Sequence, residues 1–432
     1  MKTICVIGLM LLLPVMAQAA TSSHPGQTGA IEGTITDAQG GDVIRYAGLV
    51  PPRLPSHRLF GLILGLHGKG GDEKQQVGPI SQALAANNLA GQYVVLGLKA
   101  KGESWEDADV QPVAEAIAWA LKEYPIDSRR VYAWGFSSGA FFTGKFAPRH
   151  QNLLAAGVIQ SGGLWDPPKL EDGAEAAVQL YIIHGEKDTM VDVKMAHDAC
   201  ARLKAANYRF VYHELTGDDH GLRGPGGQPA RQDAIRFMNA LRNRAIPLTD
   251  AERKIVDDLS AKLSSGKWNP PTSAYAPLLN LAGPETDALL VVALQSAKPT
   301  VRLNAASLCQ QRLYGKPVLD ALAVAMKDKD AKVRSLAIRG LGLAANFQNP
   351  DAIEALAAFA KDTTNGSTDR LDAAGQLGVT LPLQLLSVNR QSQTFTALKA
   401  LVDDKNSQIS ELASVSLDGK LTFDGQTYRA EK

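Results

Sequence analysis

The chain has little cysteine and almost no net charge, and both shortages exclude classes of protein. Its 432 residues contain three cysteines, of which only Cys200 and Cys309 lie beyond the N-terminal apolar stretch. Two such distant cysteines do not make a disulfide framework, and we expect both to be buried free thiols. The formal net charge of +1 gives no reason to expect nucleic acid or an anionic membrane as a partner.

The N-terminal apolar stretch is too short to span a bilayer. It runs from Ile4 to Val15, Lys2 precedes it, and Ala17-Gln18-Ala19 follows it. A basic residue, a short apolar run and an A-x-A site are typical of a secretory signal peptide. We therefore predict a signal peptide over residues 1–19, no transmembrane segment, and a periplasmic or extracellular location.

The most informative motif is GFSSG at residues 135–139, which matches G-x-S-x-G and directly follows the apolar run 130–134. The run predicts a buried strand, and the motif predicts a sharp strand-to-helix turn that holds Ser137 in strained backbone geometry. Glycines suit both flanking positions because a larger side chain would collide with this turn. Ser137 is the candidate nucleophile.

An acid and a base candidate follow Ser137 in the order Ser, Asp, His that is used by α/β-hydrolases. The strands predicted after the motif cover 153–163, 178–183 and 209–215, and a predicted helix covers 195–206. Asp188 lies just beyond the second of these strands, and His220 lies just beyond the third. Asp192 is the alternative acid, although it lies four residues further from the strand end.

These residue types suit nucleophilic catalysis. A serine hydroxyl attacks poorly until a base such as His220 takes its proton, and a buried carboxylate fixes the tautomer of that base. Upstream, the apolar run 62–66 opens into HGKGG at residues 67–71. The backbone N–H groups of Ser138 and of Lys69 or Gly70 are the candidate oxyanion-hole donors, and one such donor contributes about 3 to 4 kcal/mol.

Other polar residues have competing interpretations. We predict that His184 is a packed structural residue, and that His213 in a strand and His197 in a helix take no part. Asp218 and Asp219 adjoin the base candidate and could suggest a metal site. A turn solvated by carboxylates is favoured, because no second histidine or cysteine has ligand spacing nearby. No metal and no cofactor are predicted.

Two tryptophans are candidate substrate-binding residues. Trp105 and Trp165 follow predicted strands on the side where the three candidates must lie, and they could stack on a hydrophobic group. Ordinary packing tryptophans are the alternative. The segment 163–177 is too short for a large lid.

Beyond Ile246 the chain is rich in alanine and leucine and contains an internal repeat. Alanines 305, 337, 373 and 413 align in four similar blocks, 32, 36 and 40 residues apart. The apolar helices predicted before these blocks cover 286–295, 317–326, 350–360 and 394–402. Helix pairs at this period resemble HEAT repeats, which bury their apolar faces by stacking on each other. An irregular helical bundle is the alternative.

Residues 31–244 resemble the α/β-hydrolase esterases that include poly(3-hydroxybutyrate) depolymerases, feruloyl esterases and the phospholipase/carboxylesterase family. The segments that carry the resemblance are LILGLHGKGGD, DADVQPVAEAI, IDSRRVYAWGFSSGA, LYIIHGEKDTMV and LTGDDHGL. The resemblance implies an ester-hydrolysing triad of Ser137, Asp188 and His220. The depolymerases usually have alanine where this chain has Ser138, and aromatic residues after the histidine, so the substrate class stays open.

The sequence thus predicts an α/β-hydrolase domain with a doubly wound sheet, followed by an all-α domain of HEAT-like repeats. The predicted segments are a signal peptide at 1–19, an N-terminal linker at 20–30, the hydrolase domain at 31–245, a linker or helix at 246–272, and the repeats at 273–432. The predicted function is that of a secreted serine hydrolase acting on a small ester or on a polyester or polysaccharide-linked ester. A protein or polymer partner could bind the repeats. The alternatives are an inactive hydrolase-fold scaffold protein and a peptidase on the same fold.

Overall fold

The fold is taken from a computed structural model of the whole chain. The structure describes residues 27–52, 59–170, 176–264, 277–381, 392–423 and 428–430. The predicted signal peptide and residues 265–272 of the segment predicted as linker or helix lie outside these ranges. Within them, no helix combines the length and the apolar composition that crossing a membrane requires.

The N-terminal domain is built on one large sheet. The strands that the described residues contribute to it are β1 (Gly29–Thr36), β2 (Asp42–Val50), β3 (Phe60–Leu66), β4 (Tyr93–Leu98), β5 (Ile126–Phe136), β6 (Ala156–Gln160), β7 (Gln179–Gly185) and β8 (Phe210–Leu215). Their order is β1-β2-β4-β3-β5-β6-β7-β8. The β1–β2 and β2–β4 pairs are antiparallel, and every later pair is parallel. The carboxyl ends of β3 and β5 to β8 therefore meet at one edge.

Helices cover both faces of this sheet. They are α1 (Val77–Ala86), α2 (Val110–Glu123), α3 (Ser138–Arg149), α4 (Lys194–Ala205) and α5 (Gly227–Ala240). Helices α2, α3 and α4 pack on one face, and α1 and α5 pack on the other. All residues of β3 and β4 are buried, as expected for strands covered on both sides. This arrangement confirms the predicted fold class of the first domain.

The five strands predicted from apolar runs are β3, β5, β6, β7 and β8 of the sheet. Strands β1, β2 and β4 were not among the predictions, and β1 begins at Gly29, inside the segment 20–30 predicted as a linker. Apolar Ile31 and Ile35 alternate with polar residues in β1, but two large apolar side chains do not make the continuous apolar run by which the other strands are predicted. Pairing with β2 over the whole length of β1 stabilises it instead.

The C-terminal domain consists mainly of helices. Those that the described residues form are α6 (Asp250–Ser264), α7 (Pro284–Leu294), α8 (Pro299–Cys309), α9 (Lys316–Ala325), α10 (Ala331–Asn346), α11 (Pro350–Lys361), α12 (Ser367–Gly378), α13 (Gln393–Lys399) and α14 (Ser407–Leu417). From α7 onward they form pairs whose first members match the four predicted apolar helices. Helix α6 lies in the segment predicted as linker or helix, and its Val256 and Leu259 join the core of the repeats.

The four aligned alanines lie where the helix pairs are in close contact. Ala305, Ala337, Ala373 and Ala413 are each completely buried. The helix pairs confirm the predicted domain of helical repeats, and the described residues add one short antiparallel strand pair, β9 (Leu421–Phe423) with β10 (Tyr428–Ala430). Strands of three residues are too short to show a two-residue period in the sequence.

Arginines at equivalent positions of three repeats pair with aspartates further along the chain. Arg302 Nε lies 2.5 Å from Asp328, Arg334 Nε lies 2.7 Å from Asp369, and Arg370 pairs with Asp404. The same arginines donate to backbone carbonyls, for example Arg334 to the oxygen of Asp328. These charge-assisted bonds connect neighbouring helix pairs.

The two domains share an extended interface. The Phe347 ring, in the turn between α10 and α11, lies 5.4 Å from the Phe237 ring of α5 and joins the core of the sheet domain. The backbone N–H of Leu313 donates to the Ala240 carbonyl at 2.7 Å. Arg244 contacts Asp287 across the same boundary at 3.0 Å. Apolar, backbone and charged contacts therefore all hold the repeats against the sheet.

The two cysteines of the described residues belong to different domains. Cys200 of α4 is partly exposed, and Cys309 of α8 is buried; both are free thiols. Burial raises the pKa of each thiol to about 12. The prediction of two buried free thiols agrees with the structure for Cys309, whereas the free thiol of Cys200 is only partly buried.

Candidate active site

The backbone at Ser137 has the strained conformation that the motif predicts. Strand β5 ends at Phe136, helix α3 begins at Ser138, and Ser137 between them has a φ of 53°. A Cβ at Gly135 would lie 2.0 Å from the carbonyl oxygen of Gly139. A Cβ at Gly139 would lie 2.3 Å from the carbonyl oxygen of Leu66. Both glycines are therefore required by close backbone contacts.

Asp188 and His220 are hydrogen bonded. His220 Nδ1 lies 2.7 Å from Asp188 Oδ2, and the Asp188 side chain is completely buried. Asp188 Oδ1 accepts the backbone N–H groups of Met190 and Val191, each at 2.9 Å. Because an ionised carboxylate only accepts, Nδ1 of His220 carries the proton in this pair. The other ring nitrogen, Nε2, is then left as an acceptor.

Ser137 and His220 line the same cavity, whose volume is about 740 Å³. The other lining residues are Lys69, Ser104, Trp105, Glu106, Asp107, Ser138, Phe141, Phe142, Lys145, Trp165, Met190 and Val191. All of them belong to the sheet domain. A larger cavity of about 960 Å³ lies between the two domains, and none of the predicted site residues lines it. The structure thus brings the three predicted residues together at the carboxyl edge of the sheet.

The alternative acid has a different contact. Asp192 Oδ1 accepts the backbone N–H of Lys194 at 2.9 Å, at the start of α4. Of the two candidate carboxylates, the structure pairs Asp188 with His220. The backbone N–H of Lys187 donates to the Asp218 carbonyl at 2.8 Å, so the turn that follows β7 lies against the turn that carries the histidine.

The candidate oxyanion donors are not equivalent. The backbone N–H of Gly70 donates to the Glu103 carbonyl at 2.8 Å, so Gly70 is unavailable, and this corrects its inclusion among the candidates. Ser138 is the first residue of α3, and its N–H therefore has no acceptor within the helix. Within the part of the chain that the structure describes, no acceptor is found for the N–H of Lys69 either. Lys69 and Ser138 are the remaining pair.

A hydrogen-bond network that sequence reasoning missed fixes the loop carrying Lys69. The carbonyl of His67 accepts the indole N–H of Trp105 at 2.9 Å and the backbone N–H of Gly139 at 3.1 Å. His67 Nε2 accepts the Ala100 N–H at 3.0 Å, so its Nδ1 carries the proton. Burial lowers the pKa of His67, which favours this neutral form. The Ser138 hydroxyl in turn accepts the backbone N–H of Trp105 at 3.1 Å.

The two tryptophans differ in exposure. Trp105 is 8% exposed and packs against His67 and Phe142, with ring centroids about 5 Å apart in each case. Trp165 is 59% exposed and lies 6.4 Å from the Phe141 ring. Trp105 therefore has the packing environment of a structural residue, although its ring also borders the cavity. Trp165 presents an open aromatic surface beside it.

The remaining polar candidates have structural environments. His184 and His213 are buried, and the His197 side chain is half exposed beside Glu214. Asp218 is fully buried and accepts the Gly226 N–H at 2.9 Å, so the turn is only partly solvated. Among the described residues, no cluster of three histidine, cysteine or carboxylate side chains could hold a metal ion.

Short segments of the chain are similar to known esterases. It is 42% identical over 50 residues to acetylxylan esterase A of Aspergillus ficuum, which is 12% of this chain and 16% of that protein. It is 31% identical over 157 residues to a bifunctional acetylxylan esterase/xylanase of Neocallimastix patriciarum. Those residues make up 35% of this chain and 22% of that protein. The chain thus spans less than a quarter of these relatives.

Among solved structures, the chain is similar to a thermostable esterase, with 22% sequence identity and a TM-score of 0.42. The similarity covers 49% of this chain and 63% of the esterase chain. Two parts of the chain also match protein families, one in each domain. Residues 286–378 match HEAT repeats, and residues 101–228, which contain Ser137, Asp188 and His220, match the phospholipase/carboxylesterase family.

Proposed function

We propose that this protein is a secreted serine hydrolase that cleaves carboxylic esters through an acyl-enzyme. The observation that carries the proposal is the 2.7 Å pairing of Asp188 with His220 at the cavity that Ser137 lines. The match of residues 101–228 to the phospholipase/carboxylesterase family supports the same reaction type. No cofactor is required.

In the proposed reaction the Ser137 hydroxyl oxygen attacks the ester carbonyl carbon while His220 Nε2 takes its proton. The negative charge that develops on the carbonyl oxygen is stabilised by the N–H groups of Lys69 and Ser138. Asp188 stabilises the imidazolium and holds its tautomer. Collapse of the tetrahedral intermediate expels the alcohol, which receives the proton from Nε2. Water then cleaves the acyl-enzyme by the same steps.

We propose a short-acyl ester of a polysaccharide as the substrate. Trp165 and Met190, which are 59% and 75% exposed, border the cavity and offer an apolar surface for the face of a sugar ring. The acetylxylan esterase relatives favour the same substrate class. Trp165→Ala should then raise KM for acetylated xylan at least fivefold while leaving p-nitrophenyl acetate hydrolysis within threefold. Equal losses on both substrates would contradict this role.

We further propose that residues 1–19 direct export and that the repeats dock a protein or polymer partner. N-terminal sequencing of protein recovered from the periplasm or medium tests the first point, and a mature chain that retains Met1 would contradict it. Binding to insoluble xylan, measured for the Ser137→Ala variant with and without the repeats, tests the second.

The central test separates this function from its alternatives. A fluorophosphonate probe should label Ser137, because only a base-activated serine beside an oxyanion hole reacts quickly. A panel of p-nitrophenyl esters, feruloyl esters and peptide anilides should then give ester turnover that Ser137→Ala abolishes. An unlabelled protein would favour the inactive scaffold, whereas faster turnover of the anilides would favour the peptidase.

A further inference from the structure

His184 occupies a buried position next to the carboxylate of Asp188. It lies near the end of β7, its side chain is completely buried, and its Nε2 is 2.9 Å from the carbonyl oxygen of Val191. The same Nε2 is 3.1 Å from Asp188 Oδ2. His184 therefore contacts both the turn that carries Asp188 and the carboxylate itself.

The contacts determine the proton position on His184. A carbonyl oxygen only accepts, so the proton lies on Nε2 and is directed at Val191. Nδ1 has no hydrogen-bond partner among the residues described. Burial lowers the pKa of His184, and the ionisable groups that face it are Asp188, His220 and Glu214. The ring is consequently a neutral donor with its N–H next to a negatively charged oxygen.

Asp188 Oδ2 is thus approached by two imidazole rings. His220 Nδ1 lies at 2.7 Å and His184 Nε2 at 3.1 Å, while the other carboxylate oxygen is held by backbone N–H groups of the turn. Without His184, the bond that ties the far end of this turn to β7 is lost. Besides its bond to His220, the carboxylate would then keep only its bonds to the Met190 and Val191 N–H groups, and the end of the turn that supplies them would no longer be bonded to His184.

We propose that His184 is a positioning residue that holds the Asp188 carboxylate in line with His220. The role rests on the proposed hydrolase function and acts only through Asp188. The Nε2–H bond to Val191 closes the turn, and the same N–H stabilises the negative charge on Oδ2. His184 is part of neither the nucleophile nor the oxyanion hole.

Replacing His184 with glutamine or with asparagine tests whether the N–H donor must lie at the position of Nε2. The side-chain nitrogen of glutamine reaches approximately the position of Nε2, whereas that of asparagine reaches approximately that of Nδ1. We expect His184→Gln to retain at least a third of kcat on p-nitrophenyl acetate. His184→Asn and His184→Leu should lower kcat about 10- to 100-fold, the size of loss that follows a small displacement of a catalytic group. Equal activity of the Gln and Asn variants would overturn the proposal.

A double-mutant cycle separates this role from general destabilisation. In an Asp188→Asn background, His184→Asn should lower kcat by less than threefold, because the carboxylate that it positions is already gone. A full 10- to 100-fold loss in that background would overturn the proposal. Circular dichroism melting confirms that each variant is folded, and the Asn variant carries the test if the Leu variant does not fold. If the fluorophosphonate probe did not label Ser137 in the wild type, both the hydrolase function and this role of His184 would be overturned. If the probe labelled Ser137 normally but the effects of the His184 and Asp188 substitutions were additive, only the role of His184 would be overturned.

Discussion

The side-chain amide of Gln348 pairs with both backbone groups of Tyr212. Its Nε2 donates to the Tyr212 carbonyl at 3.0 Å, and its Oε1 accepts the Tyr212 N–H at 3.3 Å. Tyr212 lies in β8, the edge strand of the large sheet, and Gln348 lies in the turn between α10 and α11. The repeat domain thus covers part of an edge whose unpaired groups would otherwise be open to pairing with another chain.

We expect Gln348→Leu to lower the free energy of unfolding by about 1 to 3 kcal/mol, because both Tyr212 groups lose their partner. Hydrogen exchange at the Tyr212 amide should accelerate at the same time. Gln348→Asn is the matched control: asparagine tolerates the left-handed φ of 56° at this position, but its amide is one methylene shorter. If the Asn variant were as stable as wild type, the paired amide would not be the source of the stability.

Replacing Trp105 with phenylalanine should separate packing from hydrogen bonding at the oxyanion loop. The ring contacts with His67 and Phe142 stay, whereas the indole N–H bond to the His67 carbonyl is lost. We expect stability to fall by about 1 kcal/mol and kcat on p-nitrophenyl acetate to fall roughly tenfold, because the loop carrying Lys69 loosens.

Trp119→Phe is the control for that variant, since Trp119 of α2 packs on Tyr46 of β2 and on Tyr124. It should change the melting temperature without changing kcat. A Trp105→Phe enzyme with wild-type kcat would mean that the network does not determine the geometry of the oxyanion hole.

Stability should decrease on acidification because of buried histidines. Burial lowers the pKa of His213 from 6.5 to about 4, and the charge of Asp233 acts in the opposite direction. Between these values the unfolded chain binds more protons than the folded one, so the free energy of unfolding falls as the pH drops through this window. The loss from His213 is about 2 kcal/mol at pH 5, and the lowered pKa values of His67 and His184 act in the same direction.

Urea unfolding at pH 8, 6 and 5 measures how the free energy of unfolding changes with pH in the wild type and in His213→Gln. The variant should lose less stability than the wild type over the same pH range, because it cannot take up that proton. Identical slopes for the two proteins would show that His213 does not contribute.

The sequence predicts the parts of this molecule that depend on local signals. Apolar runs ending in polar residues locate the strands that precede Ser137, Asp188 and His220, and their common edge follows from parallel pairing. The helix pairs follow from the alanine spacing.

Other features depend on contacts between residues that are far apart in the chain, and a single sequence does not reveal such contacts. The N–H of Gly70 is taken by the Glu103 carbonyl, which only the folded loops reveal. Strand β1 depends on its partner β2, and Gln348 meets Tyr212 across 136 residues of chain. Likewise, nothing local distinguishes the buried Trp105 from the exposed Trp165.

The sheet domain should carry the catalytic activity without the repeats. Every residue that lines the cavity at Ser137 lies between Lys69 and His220, so a fragment of residues 20–248 contains the complete proposed active site. We expect it to hydrolyse p-nitrophenyl acetate with a kcat within about threefold of the whole chain, the usual context dependence of such comparisons. It should also melt at a lower temperature and aggregate more readily, because Phe237 loses its contact with Phe347 and the Tyr212 edge loses Gln348. Activity, circular dichroism and light scattering on the same preparation measure these effects. A folded, soluble fragment without turnover would mean that the repeats complete the active site through β8, and their assignment as an accessory module would have to be abandoned.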